Sequence, residues 1–249
     1  MPSNLQSFYH ITYHLNLSKL YLPLQPICAD TMVTIACPSM YVLENPHGWA
    51  CLVQKGGQLT SKKAIMREKY SVTSLGYDEL YCDEQFEKYM LATRNVKLRG
   101  KVLDNGCGTG LFLEHLVSTR GADDIIYYIC LDLSPGMLDV ARKRTANLGL
   151  GHIVEHVEAD AENLPLRGES VNYTVSFTVV DLVEDKSRAL KEMDRVTKLY
   201  AVVTSLKKAH KIVRELPNYG LYIGETSKDY VFIRVKQKHR RALTVDPSS

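Results

Sequence analysis

From about residue 66 to residue 237, short apolar runs alternate with longer stretches in which apolar residues recur every three or four positions. The first such stretch predicts a helix over 77–93, with Leu80, Phe86, Tyr89 and Met90 available for its apolar face. Strands are then expected at 101–105, 125–131, 152–157, 171–177 and 199–205, interleaved with helices over 109–119, 135–148 and 186–197. The helix at 135 shows the local logic. Ser134 can cap it, Pro135 suits the first helical position where a missing N–H costs nothing, and Met137, Leu138, Ala141 and Leu148 share one side. Residues 208–216 read as a further helix, 217–220 as a turn, and 221–225 with 229–236 as two strands joined by Thr226-Ser227-Lys228. Regular alternation of strand and helix is the mark of an α/β protein, a mostly parallel sheet with helices on both faces.

Residues 1–65 differ. They hold prolines at 2, 23, 26, 38 and 46, few charges and no sustained periodicity, although Met32-Val33-Thr34-Ile35-Ala36 could pair as a strand. Three readings stay open: a flexible extension, a small cap on the following domain, or a segment before a true start at Met66. The expected organisation is an N-terminal extension over 1–65, one domain over 66–237 and a basic, flexible tail over 238–249.

A chain of 249 residues suits one large domain with a buried core, not two. Its net charge of +3 demands no nucleic-acid partner, and the basic run Lys236-Gln237-Lys238-His239-Arg240-Arg241 reads as a solvated tail. The six cysteines (28, 37, 51, 82, 107 and 130) lack metal-ligand spacing and read as reduced thiols, so no zinc or other metal site is expected. No run reaches the ~18 apolar residues of a membrane span, and the N-terminus lacks a secretory leader pattern. A cytoplasmic location is the expectation.

The chemistry begins at Val102-Leu103-Asp104-Asn105-Gly106-Cys107-Gly108-Thr109-Gly110, a strand that ends in an acid and enters a loop with glycine at every second position. Glycine permits a ligand to approach the main chain closely. A dinucleotide site wants G-x-G-x-x-G, but Leu111 stands where that pattern has its last glycine. An acid directly before the loop also suits a ligand carrying an ammonium and a sulfonium better than a pyrophosphate. The segment resembles the first motif of the class I S-adenosyl-L-methionine-dependent methyltransferases, an apolar run followed by D/E-x-G-x-G-x-G, with Asn105 in place of the apolar residue most members carry.

The resemblance covers residues 67–237 by order of elements and implies a Rossmann-like sheet ending in an antiparallel hairpin. It implies that Gly106, Gly108 and Gly110 shape the pocket for the methionine part of the cofactor and that Asp104 engages its ammonium. Asp132 ends Ile129-Cys130-Leu131-Asp132-Leu133-Ser134, which matches the second motif; an acid at that strand end can accept both ribose hydroxyls. Asp160 and Ala161, in Ala159-Asp160-Ala161-Glu162-Asn163-Leu164-Pro165, resemble the segment that contacts adenine.

The fourth strand ends Ser176-Phe177-Thr178-Val179 and lacks both the N/D-P-P-Y/F of enzymes that methylate exocyclic amines of bases and the Pro-Cys of cytosine C5 enzymes. The implied activity is therefore methyl transfer to an unidentified acceptor, a small molecule rather than a nucleic acid, in the manner of methylases of quinone precursors. The alternatives are a non-catalytic cofactor-binding subunit supporting a partner, a protein or RNA methyltransferase, and a nicotinamide-dependent reductase. No catalytic residue is assigned. Asp181, Glu184, Tyr70, Tyr77 and Tyr81 lie near the expected cleft, and each taken alone reads as structural; His152 and His156 read as ordinary strand histidines, and Cys107 as a small residue fitting its loop.

Overall fold

The structure is a computed structural model that describes residues 61–209 and 216–236, together with the backbone of three short strands before them. Those strands, β1 (Ala36–Cys37), β2 (Met40–Glu44) and β3 (Ala50–Gln54), form an antiparallel sheet of their own. Two helices follow, α1 (Lys62–Thr73) and α2 (Tyr77–Asn95), joined by a 3-10 turn at Ser74–Gly76. Strands and helices then alternate: β4 (Gly100–Asn105), α3 (Leu111–Arg120), β5 (Ile125–Asp132), α4 (Pro135–Asn147) and β6 (Val154–Glu158). The second half runs β7 (Val171–Ser176), α5 (Lys186–Val196), β8 (Thr197–Leu206), β9 (Leu221–Glu225) and β10 (Asp229–Val235).

The main sheet has the order β6-β5-β4-β7-β8-β10-β9. Strands β6, β5, β4, β7 and β8 are parallel, and β10 runs antiparallel to both of its neighbours. Because the chain winds outward from β4 through β5 and β6, then crosses to the other side with β7, the order reverses between β4 and β7. A crevice opens at the carboxyl ends of the strands at such a point.

Alternation of side chains across the pleat splits the core in two. Val102, Tyr128 and Val175 join Tyr89, Phe112 and Leu138 of α2, α3 and α4 on one face. Leu103, Ile129 and Leu131 pack with Leu164 and Val196 on the other, continuing into a cluster around Met193 and Phe232. Ser134 caps α4 by accepting from Met137 N at 3.2 Å, as its sequence predicts.

Helices α1 and α2 depart from the sequence pattern. Helix α1, in a stretch without readable periodicity, runs through Met66 and begins with Ser61 Oγ accepting from Ala64 N at 3.2 Å. Its first turn therefore lies on the extension's side of the boundary expected at residue 66. Helix α2 does not bury the face expected of it: Leu80 and Met90 are exposed, while Gln85, Lys88, Ala92 and Thr93 are buried with Tyr89. The reason is an internal ion network around Lys88, described below. The expected strand at 32–36 and helix at 208–216 fall largely outside the described residues, and the tail at 238–249 does so entirely. No described helix is long and apolar enough to cross a membrane.

Candidate active site

The glycine loop leaves β4 with Gly106 and Gly108 at φ of 82° and 55°, a region costly for any residue with a Cβ. The two positions differ in what surrounds them. A Cβ on Gly106 would meet Val179 Cγ2 at 2.1 Å, whereas one on Gly108 would meet nothing within 4 Å and would project into open space. The loop is tied to the end of β5: Gly106 N and Cys107 N both donate to Leu131 O, at 2.7 and 3.0 Å. Thr109 Oγ1 donates to Asp78 of α2 at 2.5 Å, and Arg144 of α4 donates to Thr109 O while pairing with Asp78. Sequence reading missed both Asp78 and Arg144, since a charged residue on a helix carries no local sign of a partner 66 positions away.

Cys107 does not stay a free thiol, as the sequence led us to expect. Pairing of β4 with β5 brings its Cα within 5.3 Å of that of Cys130, and the two form a disulfide. Cys82 is a free thiol.

At the end of β5, Asp132 Oδ2 accepts from Gly108 N at 2.9 Å and Oδ1 from Ser134 N at 2.8 Å. Burial pushes this carboxyl up, and the N–H groups of Ser134, Gly108 and Leu133 pull it back toward the ionised form. Each oxygen keeps a lone pair for a further donor.

Asp160, after β6, is reached by the extension's side of the chain. Lys63 of α1 donates to Asp160 Oδ2 at 2.6 Å and lies 3.0 Å from Glu162 Oε2, and Glu162 N donates to Asp160 Oδ1 at 2.9 Å. Burial acts to raise the Asp160 carboxyl, but Lys63 and the Glu162 N–H outweigh it and hold it below the usual range. Ala161 lines the cavity between these two acids.

Asp104 sits apart. It is buried, accepts from Tyr128 Oη at 2.6 Å, and faces a small recess shared with Tyr77, Cys107 and Thr109. Burial pushes its carboxyl up to about 7, with the Tyr128 hydroxyl opposing the shift and the Asp132 charge adding to it. Gly106 and Gly108 line both this recess and a larger cavity of about 800 Å³ in front of Asp132 and Asp160.

The far side of that cavity is aromatic. Tyr77 lies 6.2 Å from Tyr70 and 4.8 Å from Tyr81 by ring centroid, and Phe177 joins the lining. Burial holds the Tyr70 hydroxyl up to about 12 and pushes that of Tyr77 higher still, so both stay protonated; Tyr77 Oη accepts from Gln85 Nε2 at 3.2 Å. Asp181 is committed elsewhere, accepting from Ser205 Oγ at 2.9 Å and Leu206 N at 2.8 Å, and Glu184 accepts from Lys63 N at 3.2 Å. Neither lines the cavity.

Behind Phe177, Thr178 adopts a positive φ of 67°. Its Oγ1 accepts from the fully buried Lys88 Nζ at 2.8 Å and donates to Asp229 Oδ1 at 3.1 Å, and its N–H donates to Thr204 Oγ1 at 2.8 Å. Lys88 is neutralised by Glu84 at 3.0 Å and Asp229 at 3.1 Å. This network fixes the turn after β7 against α2 and β10. Among the described residues, no three His, Cys, Asp or Glu come together as metal ligands.

A family model described as a methyltransferase domain matches residues 103–203. The chain is 33% identical over 148 residues to the ubiquinone/menaquinone biosynthesis C-methyltransferase of Xanthomonas axonopodis pv. citri, covering 55% of this chain and 56% of that protein. It is equally similar, over 157 residues, to the demethylmenaquinone methyltransferase of Staphylococcus epidermidis, with 59% and 61% covered. The chain thus spans little more than half the length of the curated relatives it matches. Among solved structures, an S-adenosylmethionine-dependent methyltransferase from Aquifex aeolicus superposes with a TM-score of 0.55 at 17% identity, over 66% of this chain and 96% of that one. The magnesium protoporphyrin IX methyltransferase of Synechocystis, solved with its bound cofactor, gives 0.55 at 15% identity, over 71% and 98%. At such identities the likeness is one of fold.

Proposed function

We propose that this chain is a class I S-adenosylmethionine-dependent methyltransferase that transfers the methyl group of its cofactor to a small-molecule acceptor. The observation that carries the reading is the joint placement of Gly108 and Asp132. The loop N–H of Gly108 holds the carboxylate at the mouth of a cavity, and the space a Cβ would take at Gly108 is left open.

The residues present fit the cofactor. Asp132 would offer its free lone pairs to the ribose hydroxyls, Asp160 and the backbone of Ala161 would hold the adenine, and Asp104 would hold the ammonium across the small recess; Gly106 and Gly108 line the cavity, whereas Gly110, expected to shape the same pocket, lines neither space and lies against Ala141 of α4. The bound cofactor supplies an activated methyl on a sulfonium. The chain's own part is to hold the acceptor in line with it, because close orientation alone supplies much of the rate of such a displacement. Tyr70, Tyr77 and Tyr81 with Phe177 form the apolar wall on which a planar acceptor would lie, and the protonated hydroxyls of Tyr70 and Tyr77 can donate to an acceptor oxygen. Of the carboxylates lining the cavity, Glu84, Asp160 and Glu162 are paired with lysines, and Asp132 is held by the N–H groups of Gly108 and Ser134.

A quinone-precursor acceptor is the analogy offered by the curated relatives, and fold likeness alone does not fix a substrate. The cytoplasmic location expected from the sequence is the part of the proposal against which the Cys107–Cys130 bridge speaks, since that compartment keeps thiols reduced.

Calorimetry with S-adenosylmethionine, S-adenosylhomocysteine and NAD tests the reading. Binding of the first two and not the third is expected; the reverse would overturn it. Radiolabelled methyl transfer into the small-molecule fraction of a cell extract, and not into protein or nucleic acid, tests the acceptor class.

A further inference from the structure

We propose that the Cys107–Cys130 bridge is a reversible redox switch on the amino-acid end of the cofactor site, an inference that rests on the function proposed above. Cys130 is the register partner of Asp104 across β4 and β5, so their side chains lie next to each other on one face of the sheet. Cys107 follows three residues after Asp104 and closes the bridge. Asp104 and Cys107 border the small recess in which the ammonium would be held, and Cys130 does not. The two sulfurs therefore stand in different surroundings: one is sealed in the core, the other has the recess beside it.

That difference gives the switch its direction. A sulfur–sulfur bond holds its atoms well inside their van der Waals separation, so two thiols in its place must move apart in a close-packed interior. Cys130 cannot give way, since Val102, Tyr128 and Val175 of the same core cluster are fully buried. Cys107 can, and its thiol turns into the recess and narrows the space for the cofactor's amino-acid group. The loop backbone stays in place, because Gly106 N and Cys107 N donate to Leu131 O whether or not the bridge is formed. Asp132 and Asp160 line the larger cavity, away from the moving sulfur, so the nucleoside end is spared. Bridge formation needs a disulfide as oxidant, and glutathione disulfide serves. The Cys107 thiolate attacks it and releases one glutathione; the Cys130 thiolate then displaces the second from the mixed disulfide. The two protein thiols lose two electrons and two protons, and the two glutathione thiols gain them. A reducing compartment thus holds the site in its weaker form.

The test equilibrates the full chain with glutathione disulfide or with dithiothreitol and identifies the Cys107–Cys130 cross-link by peptide mass. Calorimetry on each form then measures S-adenosylhomocysteine and methylthioadenosine, the second of which keeps the nucleoside and lacks the amino acid. Reduction should weaken S-adenosylhomocysteine by at least about fivefold and leave methylthioadenosine within about twofold. Cys130→Ala forms no bridge but leaves the Cys107 thiol the space it needs, so it should bind both ligands as the bridged parent does, with or without reductant. Equal affinities in the two forms of the parent would overturn the switch, as would failure of glutathione disulfide to form the cross-link. Equal loss of both ligands on reduction would overturn the assignment to the amino-acid end. A reduced parent that no longer melts cooperatively would make the bridge a structural tie and also overturn the switch. If the parent binds neither ligand in either form, the proposed function itself falls, and that control tells the two failures apart.

Discussion

Gly108 N donates to Asp132 Oδ2 at 2.9 Å, so the glycine loop and the acid at the end of the next strand form one unit. The bond fixes the carboxylate's orientation without using up its acceptor capacity. Hydrogen bonds to a charged group contribute roughly 1.5 to 3 kcal/mol, so Asp132→Ala should weaken S-adenosylmethionine by about ten- to a hundredfold. Methylthioadenosine keeps the ribose and should lose the same factor. Unchanged calorimetric affinity for both would leave Asp132 as a loop anchor alone.

The two loop glycines should fail in different ways. Gly106→Ala sets a Cβ against Val179 Cγ2 at 2.1 Å on a backbone at φ 82°, and is expected to lower thermal stability as well as binding. At Gly108 a Cβ meets no protein atom within 4 Å, so the main folding cost of Gly108→Val is the left-handed φ of 55°, roughly 1 to 3 kcal/mol. Cofactor binding should be abolished while a cooperative melt persists. Retained affinity in Gly108→Val would show that the open space at this position is not the ligand's.

Removing residues 1–65 leaves every motif of the domain in place, yet it deletes Lys62 and Lys63. Lys62 Nζ donates to Val183 O at 2.8 Å, and Lys63 bridges Asp160 and Glu162. A chain beginning at residue 58 is expected to bind the cofactor as the parent does. One beginning at Met66 should bind several-fold more weakly, because Asp160 and the almost fully buried Glu162 lose their shared cation. Equal affinities would show that the adenine segment orders itself without α1.

What the sequence made legible follows from range. The parallel strands and their helices are short-period patterns with local caps, and β4, β5, β7, α4 and the hairpin β9–β10 fall within a residue or two of their expected bounds. Gly106, Gly108, Asp132, Asp160 and Ala161 come together at one cavity because each sits at or just after the carboxyl end of a strand, which register alone dictates. The failures are long-range. Helix α2 departs from its apolar pattern because Lys88 is paired with Glu84, one turn away, and with Asp229, 141 residues further on, which no periodicity reveals. Cys107 and Cys130 were read as separate thiols because their pairing depends on two strands being neighbours.

Lys88→Met should be among the most damaging changes to stability. It strands Asp229, whose side chain is fully buried, without its cation, at a cost of about 3 to 5 kcal/mol for a broken buried pair. Asp229→Asn added to Lys88→Met should recover part of that loss, since a neutral amide no longer needs the cation. Denaturant unfolding of the parent, both single variants and the double variant measures the coupling. Additive losses would mean that Lys88 and Asp229 do not interact as their 3.1 Å separation implies.

Asp104 makes the site's pH dependence unusual for a carboxyl. Its value in the folded protein is raised to about 7, so the folded state holds this proton more tightly than the unfolded chain, where aspartate titrates near 3.8. The associated stability is fully present below that lower value and is lost as pH rises through 7, a loss on the order of 4 kcal/mol for a shift of three units. Asp104→Asn cannot titrate, so the parent should lose stability relative to this variant between pH 4 and 8, measured by denaturant unfolding at each pH. Ligand binding should report the same group. An ammonium beside Asp104 favours its ionised form, so S-adenosylmethionine binding at pH 6.5 should release protons that methylthioadenosine binding does not. Calorimetry in buffers of different ionisation enthalpy measures that release; an equal proton count for the two ligands would show that Asp104 belongs to Tyr128 and not to the cofactor.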